Sequence, residues 1–380
     1  MIDRGITQRL MKLVGSFKAV ALTGPRQSGK TTLVKSLFTN KTYISLENPT
    51  QRKYALEDPH GFLADLPDGA ILDEVQRVPH LFSYLQEVLD NSATPGMFIL
   101  TGSNNMLLQE TISQTLAGRV AYLTLLPFSY SELYDYKAGQ SDDELIFSGF
   151  YPPVFDQKPD PSEWAASYIR TYIERDVRMI KNITNLITFD RFLHLLAGRT
   201  AQELNLTSLS SETGVDVKTI QSWISILEAS YIIFLLRPHH LNFNKTIVKR
   251  PKLFFYDPGI VSSLLGITHL DQLKYHPLKG HLFETMVVAE QIKKQSYNPD
   301  YGQVYYWRDK TGHEIDLLIE KPGSLYPVEI KSAQTINPGF FDNLLYYNRL
   351  SGNTGATLLY GGSESQNRSN GIKVVNWREF

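Results

Sequence analysis

The sequence contains no cysteine, which excludes disulfides, thiolate zinc or iron–sulfur sites and a cysteine nucleophile. Long hydrophobic runs are also missing. The longest apolar stretch, Tyr231 to Leu236, is far too short to span a bilayer. The amino-terminal segment MIDRGITQRLMKLVGSF carries Asp3, Arg4, Arg9 and Lys12 and has no apolar leader core, so a cytoplasmic protein without membrane contact is expected. Neither sign of charge dominates, with 38 Lys+Arg against 39 Asp+Glu. Affinity for nucleic acid would therefore have to come from a local basic patch rather than from the whole molecule. At 42% hydrophobic and 20% charged over 380 residues, the chain lies far from the disordered regime and is long enough for two or three domains.

The order of patterns divides the chain into three. Residues 1–155 alternate apolar strand-like runs (Ala19-Leu22, Tyr43-Leu46, Ala70-Leu72, Phe98-Leu100, Val120-Leu125) with amphipathic stretches, the rhythm of a parallel sheet in an α/β domain. Turn-rich segments around Gly149-Pro153 and Lys158-Pro161 close it. Residues 156–275 carry helical spacing, and residues 276–380 read as helix, three strands, helix, strand. No internal repeat or low-complexity tract is present.

Gly24-Pro25-Arg26-Gln27-Ser28-Gly29-Lys30-Thr31 fits G-x-x-x-x-G-K-[ST] and stands between an apolar run and a helix-compatible stretch that begins at Thr32. In that context its backbone N–H groups cradle phosphates, Lys30 reaches the β/γ oxygens, and the Thr31 hydroxyl holds Mg²⁺. Ala70-Ile71-Leu72-Asp73-Glu74 supplies the partner. Asp73 belongs to the metal shell, and Glu74 is placed to orient and deprotonate the attacking water, which points to hydrolysis of ATP. The extra strand between the two motifs argues for P-loop ATPases with an inserted strand. Thr101-Gly102-Ser103-Asn104-Asn105 ends the next strand, where Ser103 to Asn105, Asn104 in particular, are candidates to sense the γ-phosphate. Arg119, just before the last strand, is a candidate finger for a neighbouring subunit's nucleotide, which would require a homo-oligomer such as a ring.

GPRQSGKT, AILDE, ILTGS, LAGR and LPFSYSEL, in this order, resemble the AAA+-type ATPase domain of a large bacterial and archaeal family. In that family a carboxy-terminal region of long-unknown function follows the ATPase. YIRTYIERDVR, KLFFYDPGI, GHLFE and the block from Tyr306 to Lys331 resemble that region, so the likeness covers nearly the whole chain. It implies the fold and the ATPase activity more firmly than a cellular role.

In the middle, Ser208-Thr213 and Val217-Ala229 flank Gly214-Val215-Asp216, a helix–turn–helix pattern with Asp216 as N-cap and an apolar stripe of Ile220, Trp223, Ile224 and Leu227. From Ala229 to Tyr256 there are five basic residues (Arg237, Lys245, Lys249, Arg250, Lys252) and no acidic one. This suits a winged helix whose β-wing lies on DNA phosphates, with Lys218 on the exposed face of the second helix. Lys218, Lys245, Lys249, Arg250 and Lys252 are the candidate DNA contacts. His239-His240 is adjacent and cannot present both rings to one metal from one strand. Arg170 and Arg175 suit an exposed charged helix or a nucleotide-sensing lid equally well.

Near the carboxy terminus, alternation in His313-Glu314-Ile315-Asp316-Leu317-Leu318-Ile319 buries Ile315, Leu317 and Ile319, while Asp316 faces away. In Val328-Glu329-Ile330-Lys331 it puts Glu329 and Lys331 on one face. Glu284, in the preceding helix, adds a fourth group. The order closely resembles the PD-(D/E)xK (restriction-endonuclease-like) fold, with Ile315 where a proline would stand. On that reading Glu284, Asp316 and Glu329 ligate Mg²⁺ or Mn²⁺, and Lys331 orients the attacking water or stabilises developing charge.

These observations lead to an ATP-hydrolysing DNA-processing protein whose last domain carries out metal-dependent phosphodiester chemistry on ended or branched DNA. Two alternatives stand beside it. One is an ATP-dependent regulatory or defence switch whose last domain only grips DNA or a protein. The other is a protein-remodelling ATPase without DNA.

Overall fold

A computed structural model describes residues 2–103, 116–137, 139–173, 185–239 and 248–380. The chain forms two compact units, Met1–Phe128 with Ala229–Tyr231, and Ser129–Glu228 with Ile232–Phe380.

In the first unit, β1 (Ala19–Thr23), β2 (Thr42–Ser45), β3 (Ala70–Asp73), β4 (Phe98–Thr101) and β5 (Val120–Thr124) form a sheet in the order β2-β3-β4-β1-β5. Every pairing is parallel. β1, β3 and β4 are buried along their whole length, which is why they read as unbroken apolar runs rather than alternating ones. Leu72, Leu100 and Phe98 pack with Phe82, Leu85 and Leu89 of the helix α2 (Leu81–Asn91). The helix α1 (Lys30–Leu37) follows β1 across the loop at residues 24–29. The expected strands are all found within a residue or two; β2 lies at the edge, and β4 is the strand that stands between the two that carry the motifs.

The second unit begins at Ser129, before the expected boundary at 155, and holds residues on both sides of 275. Residues 129–150 are tied to the rest of this unit by buried polar contacts. The Tyr130 N–H donates to Glu290 (2.8 Å) and the Phe150 N–H to Asp257 (2.6 Å). Asp142 accepts from the Trp377 indole (3.0 Å) and pairs with Arg378 (2.6 Å). Buried carboxylates satisfied in this way cannot be pulled out without leaving an unpaired charge. Those partners lie far away in sequence, so turn-residue composition gave no sign of them.

Within this unit α3 (Leu186–Ala197), β6 (Gln202–Glu203), α4 (Leu206–Thr213), α5 (Val217–Ala229), β7 (Ile233–Leu236) and β8 (Lys252–Phe255) follow one another. The three strands form an antiparallel sheet in the order β6-β8-β7. Asp216 caps α5 as expected, accepting from the Thr219 N–H at 3.0 Å, and Ile220, Trp223, Ile224 and Leu227 are buried.

A six-stranded mixed sheet completes the unit. β9 (Gln303–Arg308), β10 (Glu314–Lys321) and β11 (Ser324–Lys331) run antiparallel, then β12 (Ala356–Tyr360) and β14 (Ile372–Asn376) continue parallel, with β13 (Gln366–Asn367) at the edge. The helix α6 (Lys279–Tyr297) precedes the sheet and α7 (Asp342–Ser351) joins β11 to β12. The helix–three strands–helix–strand order matches the expectation; β13 and β14 were not foreseen. Strict alternation in β10 fails. Its register with β9 shifts between Ile315 and Leu318, and both residues enter one core cluster with Leu344, Tyr347 and Leu358. A bulge of this kind re-aims the side chains beside it, and here Asp316 is the neighbour. Asp316 is itself buried, so the face it points to is covered as well.

Candidate functional site

The phosphate loop bridges β1 and α1. Gly24 (φ 141°) and Gly29 (φ 91°) adopt backbone conformations that other residues rarely take, and a Cβ on Gly24 would drive into the Leu125 carbonyl. Pro25 and Ser28 are buried, Arg26 is half-buried, and Gln27 and Thr32 are exposed. Lys30 is buried and folds back on the loop, donating to the carbonyls of Gly24 (2.9 Å) and Pro25 (2.7 Å). Burial lowers its pKa to about 8, against the opposing pull of Glu74 and Asp73.

Asp73, at the end of β3, accepts hydrogen bonds from Thr31 (3.1 Å), Tyr43 (2.6 Å) and Thr101. Thr31 and Asp73, the two groups expected in the Mg²⁺ shell, are thus already in contact. The Ser28 Oγ is buried with no hydrogen-bond partner among the described residues. An orphaned hydroxyl inside a loop of N–H donors, beside an oxygen pair suited to a hard cation, fits a nucleotide phosphate with Mg²⁺.

Glu74 follows in a left-handed conformation (φ 54°). Burial raises its carboxyl pKa, while Lys30 and Arg26 draw it back. Ser103, just past the end of β4, reaches it at 3.3 Å; the other strand-end candidates, Asn104 and Asn105, lie outside the described residues. Arg119 is elsewhere. Its backbone carbonyl bonds to Ala19 at the start of β1, the sheet edge opposite the phosphate loop, and its guanidinium pairs with Asp90 (3.0 Å). Within one copy it does not join the nucleotide site.

Three contributors were missed by the sequence reading. Tyr43 and Thr101 orient Asp73, and Arg4 donates to the carbonyls of Ser28 (2.8 Å) and Leu126 (2.6 Å) while lying over the Phe128 ring. Thr101 closes the strand after the acid and could have been suspected; Arg4 and Tyr43 carry no local signal.

The second centre lies where α6, β8, β10 and β11 meet. The Lys331 ammonium reaches Glu329 (2.6 Å) and Asp316 (3.7 Å), and the Ile330 N–H donates to Asp316 at 2.8 Å. The expected trio is therefore brought together. Glu284 joins it, but with an unforeseen carboxylate: oxygens of Glu284, Glu314 and Asp316 lie within 4.8 Å of one another. Glu314 stands two residues before Asp316, a spacing that could have flagged it. Burial raises the Glu329 pKa to about 8 and that of Glu284 to about 7, with Asp316 adding to both and Lys331 and Lys252 respectively opposing. The Glu329 Oε2 is buried without a hydrogen-bond partner among the described residues. An all-oxygen donor set of this kind fits a hard divalent cation. His281, Glu203 and Arg308 line a cavity of about 340 Å³ beside the cluster.

Lys252 overturns an expectation. It is not a phosphate contact on an exposed wing but is 3% exposed, with its ammonium 2.9 Å from Glu284, bonded to Glu314 and 3.9 Å from Asp316. Burial alone would lower its pKa, but these carboxylates outweigh burial and hold it charged. The basic count around it concealed this, because its acidic partners come from α6 and β10. Lys218, Lys249 and Arg250 are exposed, Arg170 is exposed, and Lys245, Arg175 and His240 lie outside the described residues. His239 is buried and packs edge-on against Tyr305, consistent with a structural role.

The strand order, the phosphate loop and the Asp73–Thr31 contact define a P-loop ATPase of the AAA type, and the family described as AAA domain matches residues 16–134. Two families described as Domain of unknown function, DUF8612 and DUF4143, match residues 140–271 and 279–380. The chain is 30% identical over 336 residues to an uncharacterized protein of Mycobacterium tuberculosis, covering 87% of this chain and 74% of that one. The chain belongs to the same family as that protein. An uncharacterized protein of Haemophilus influenzae is 20% identical over 291 residues, covering 73% of this chain and 68% of that one. A Walker-type ATPase of Pyrococcus abyssi is similar in structure with a TM-score of 0.48 at 14% identity, covering 70% of this chain and 96% of that one. Among the described residues no helix is long and apolar enough to cross a membrane.

Proposed function

We propose that this ATPase processes DNA, with nucleotide turnover in the first unit coupled to a winged helix and a metal-dependent phosphodiester centre in the second. The observation that carries the reading is the convergence of Asp316, Glu329 and Lys331 beside Glu284. In the ATPase unit, Lys30 and the loop N–H groups hold the nucleotide phosphates, Thr31 and Asp73 take the metal shell, and Glu74 accepts a proton from the attacking water. In the second unit the carboxylates would hold Mg²⁺ or Mn²⁺, which when bound polarises a phosphodiester, and Lys331 orients the nucleophile. Lys218, Lys249 and Arg250 supply exposed positive charge for DNA phosphates. Arg119 would serve a neighbouring copy in a homo-oligomer, after leaving Asp90. A cytoplasmic location fits this role.

The test is ATP hydrolysis with and without DNA beside a Mg²⁺/Mn²⁺ cleavage assay on linear and branched DNA, with Lys30→Ala and Glu329→Ala. DNA should raise turnover, and Glu329→Ala should abolish cutting while hydrolysis survives. Turnover indifferent to DNA with no cutting by wild type would overturn the reading. That result would favour an ATP-dependent switch whose last domain is a recognition module, a second reading that the ammonium of Lys252 among the metal-type carboxylates supports.

A further inference from the structure

Lys252 is the first residue of β8 and arrives directly behind the exposed Lys249 and Arg250. Its ammonium has three donors, and three carboxylates, Glu284, Glu314 and Asp316, surround it within 3.9 Å. One oxygen from each of these carboxylates lies within 4.8 Å of the others, close enough to ligate one ion. A second observation points to a missing ligand. The Glu329 Oε2, on a residue 3% exposed, has no hydrogen-bond partner among the described residues, while its other oxygen is held by Lys331, which also reaches Asp316. Buried carboxylate oxygens are seldom left bare unless an ion or water completes them.

An ammonium and a divalent ion among the same oxygens repel each other strongly in a buried setting. Both cannot sit there. We propose that Glu284, Glu314 and Asp316 form a divalent-cation site whose resident occupant is the Lys252 ammonium, and that Mg²⁺ or Mn²⁺ enters only as that ammonium leaves. Glu314 is then a ligand and Lys252 a positioning residue that keeps the centre closed. The inference rests on the metal-site reading above and adds to it the displaced cation. The cavity lined by His281, Glu203 and Arg308 offers the ion its approach and leaves space for a departing side chain.

The experiment measures Mn²⁺ binding to the full chain by electron paramagnetic resonance, with no dependence on cleavage. Lys252→Met should tighten Mn²⁺ binding at least about tenfold, and adding Glu314→Gln to it should weaken binding again by about the same factor. Thermal unfolding confirms that each variant is folded. Because removing Lys252 leaves three carboxylates together, a second measurement uses wild type alone. Lys252 is acylated by an amine-reactive ester and quantified by mass spectrometry, and saturating Mn²⁺ should raise its labelling about tenfold, as a buried ammonium becomes free. Mn²⁺ binding that is no tighter in Lys252→Met, or wild-type labelling unchanged by bound Mn²⁺, overturns the displacement and leaves the metal-site reading standing. If neither wild type nor Lys252→Met binds Mn²⁺, both fall.

Discussion

Lys30 gives a quantitative test of the nucleotide site. Burial against the loop carbonyls lowers its pKa from 10.5 to about 8, so holding it charged in the nucleotide-free fold costs about 3 kcal/mol relative to the unfolded chain. A lowered lysine pKa means that the unfolded chain binds the extra proton between pH 8 and 10.5. Stability from this group therefore rises with pH across that window. Nucleotide phosphates reverse the balance by giving the ammonium a counter-charge. On a simple titration, binding should take up about one-tenth of a proton at pH 7, about half at pH 8 and about nine-tenths at pH 9. Calorimetry of Mg·ADP binding in two buffers of different ionisation enthalpy reads this uptake directly. Lys30→Arg carries a cation that does not titrate in this range and serves as reference, so the difference between the two proteins isolates Lys30. Equal proton uptake by wild type and Lys30→Arg across pH 7–9 would refute the argument.

Arg4→Met removes two charge-assisted hydrogen bonds to buried carbonyls, those of Ser28 and Leu126. It should cost about 2–4 kcal/mol in denaturant unfolding, with nucleotide affinity falling in parallel because the loop is no longer fixed; an unchanged midpoint and affinity would count against its role. Glu329, whose folded pKa of about 8 exceeds its ordinary value, contributes stability at low pH that is lost as pH rises through 8. Metal-free Glu329→Gln should therefore show a flatter stability profile between about pH 4.5 and 8 in thermal unfolding, and a wild-type-like slope would contradict the burial argument.

The ATPase fold was legible because its signals are local. Three of the five strands, β1, β3 and β4, are nearly continuous apolar runs, and Lys30, Thr31, Asp73 and Glu74 sit at fixed offsets from them. The groups that finish the site were not, because Arg4 and Tyr43 act across long sequence separations through one or two hydrogen bonds each. The same contrast holds in the second unit. Glu329 and Lys331 share a face by simple alternation, whereas the bulge at Ile315–Leu318 defeats alternation in the strand that carries Asp316. Lys252 shows the limit most plainly: a count of basic residues ranked it with Lys249 and Arg250, although tertiary packing gives it the opposite environment.

The contact of Lys252 with Glu284, Glu314 and Asp316 also bears on how the two carboxy-terminal segments are inherited. The ammonium comes from the segment matched at 140–271 and the carboxylates from the one matched at 279–380. A recombination event that transplanted only the latter would strand a cluster of buried acids without their counter-ion, at a penalty of several kcal/mol. Selection on such chimeras would tend to keep the two segments travelling as one heritable block.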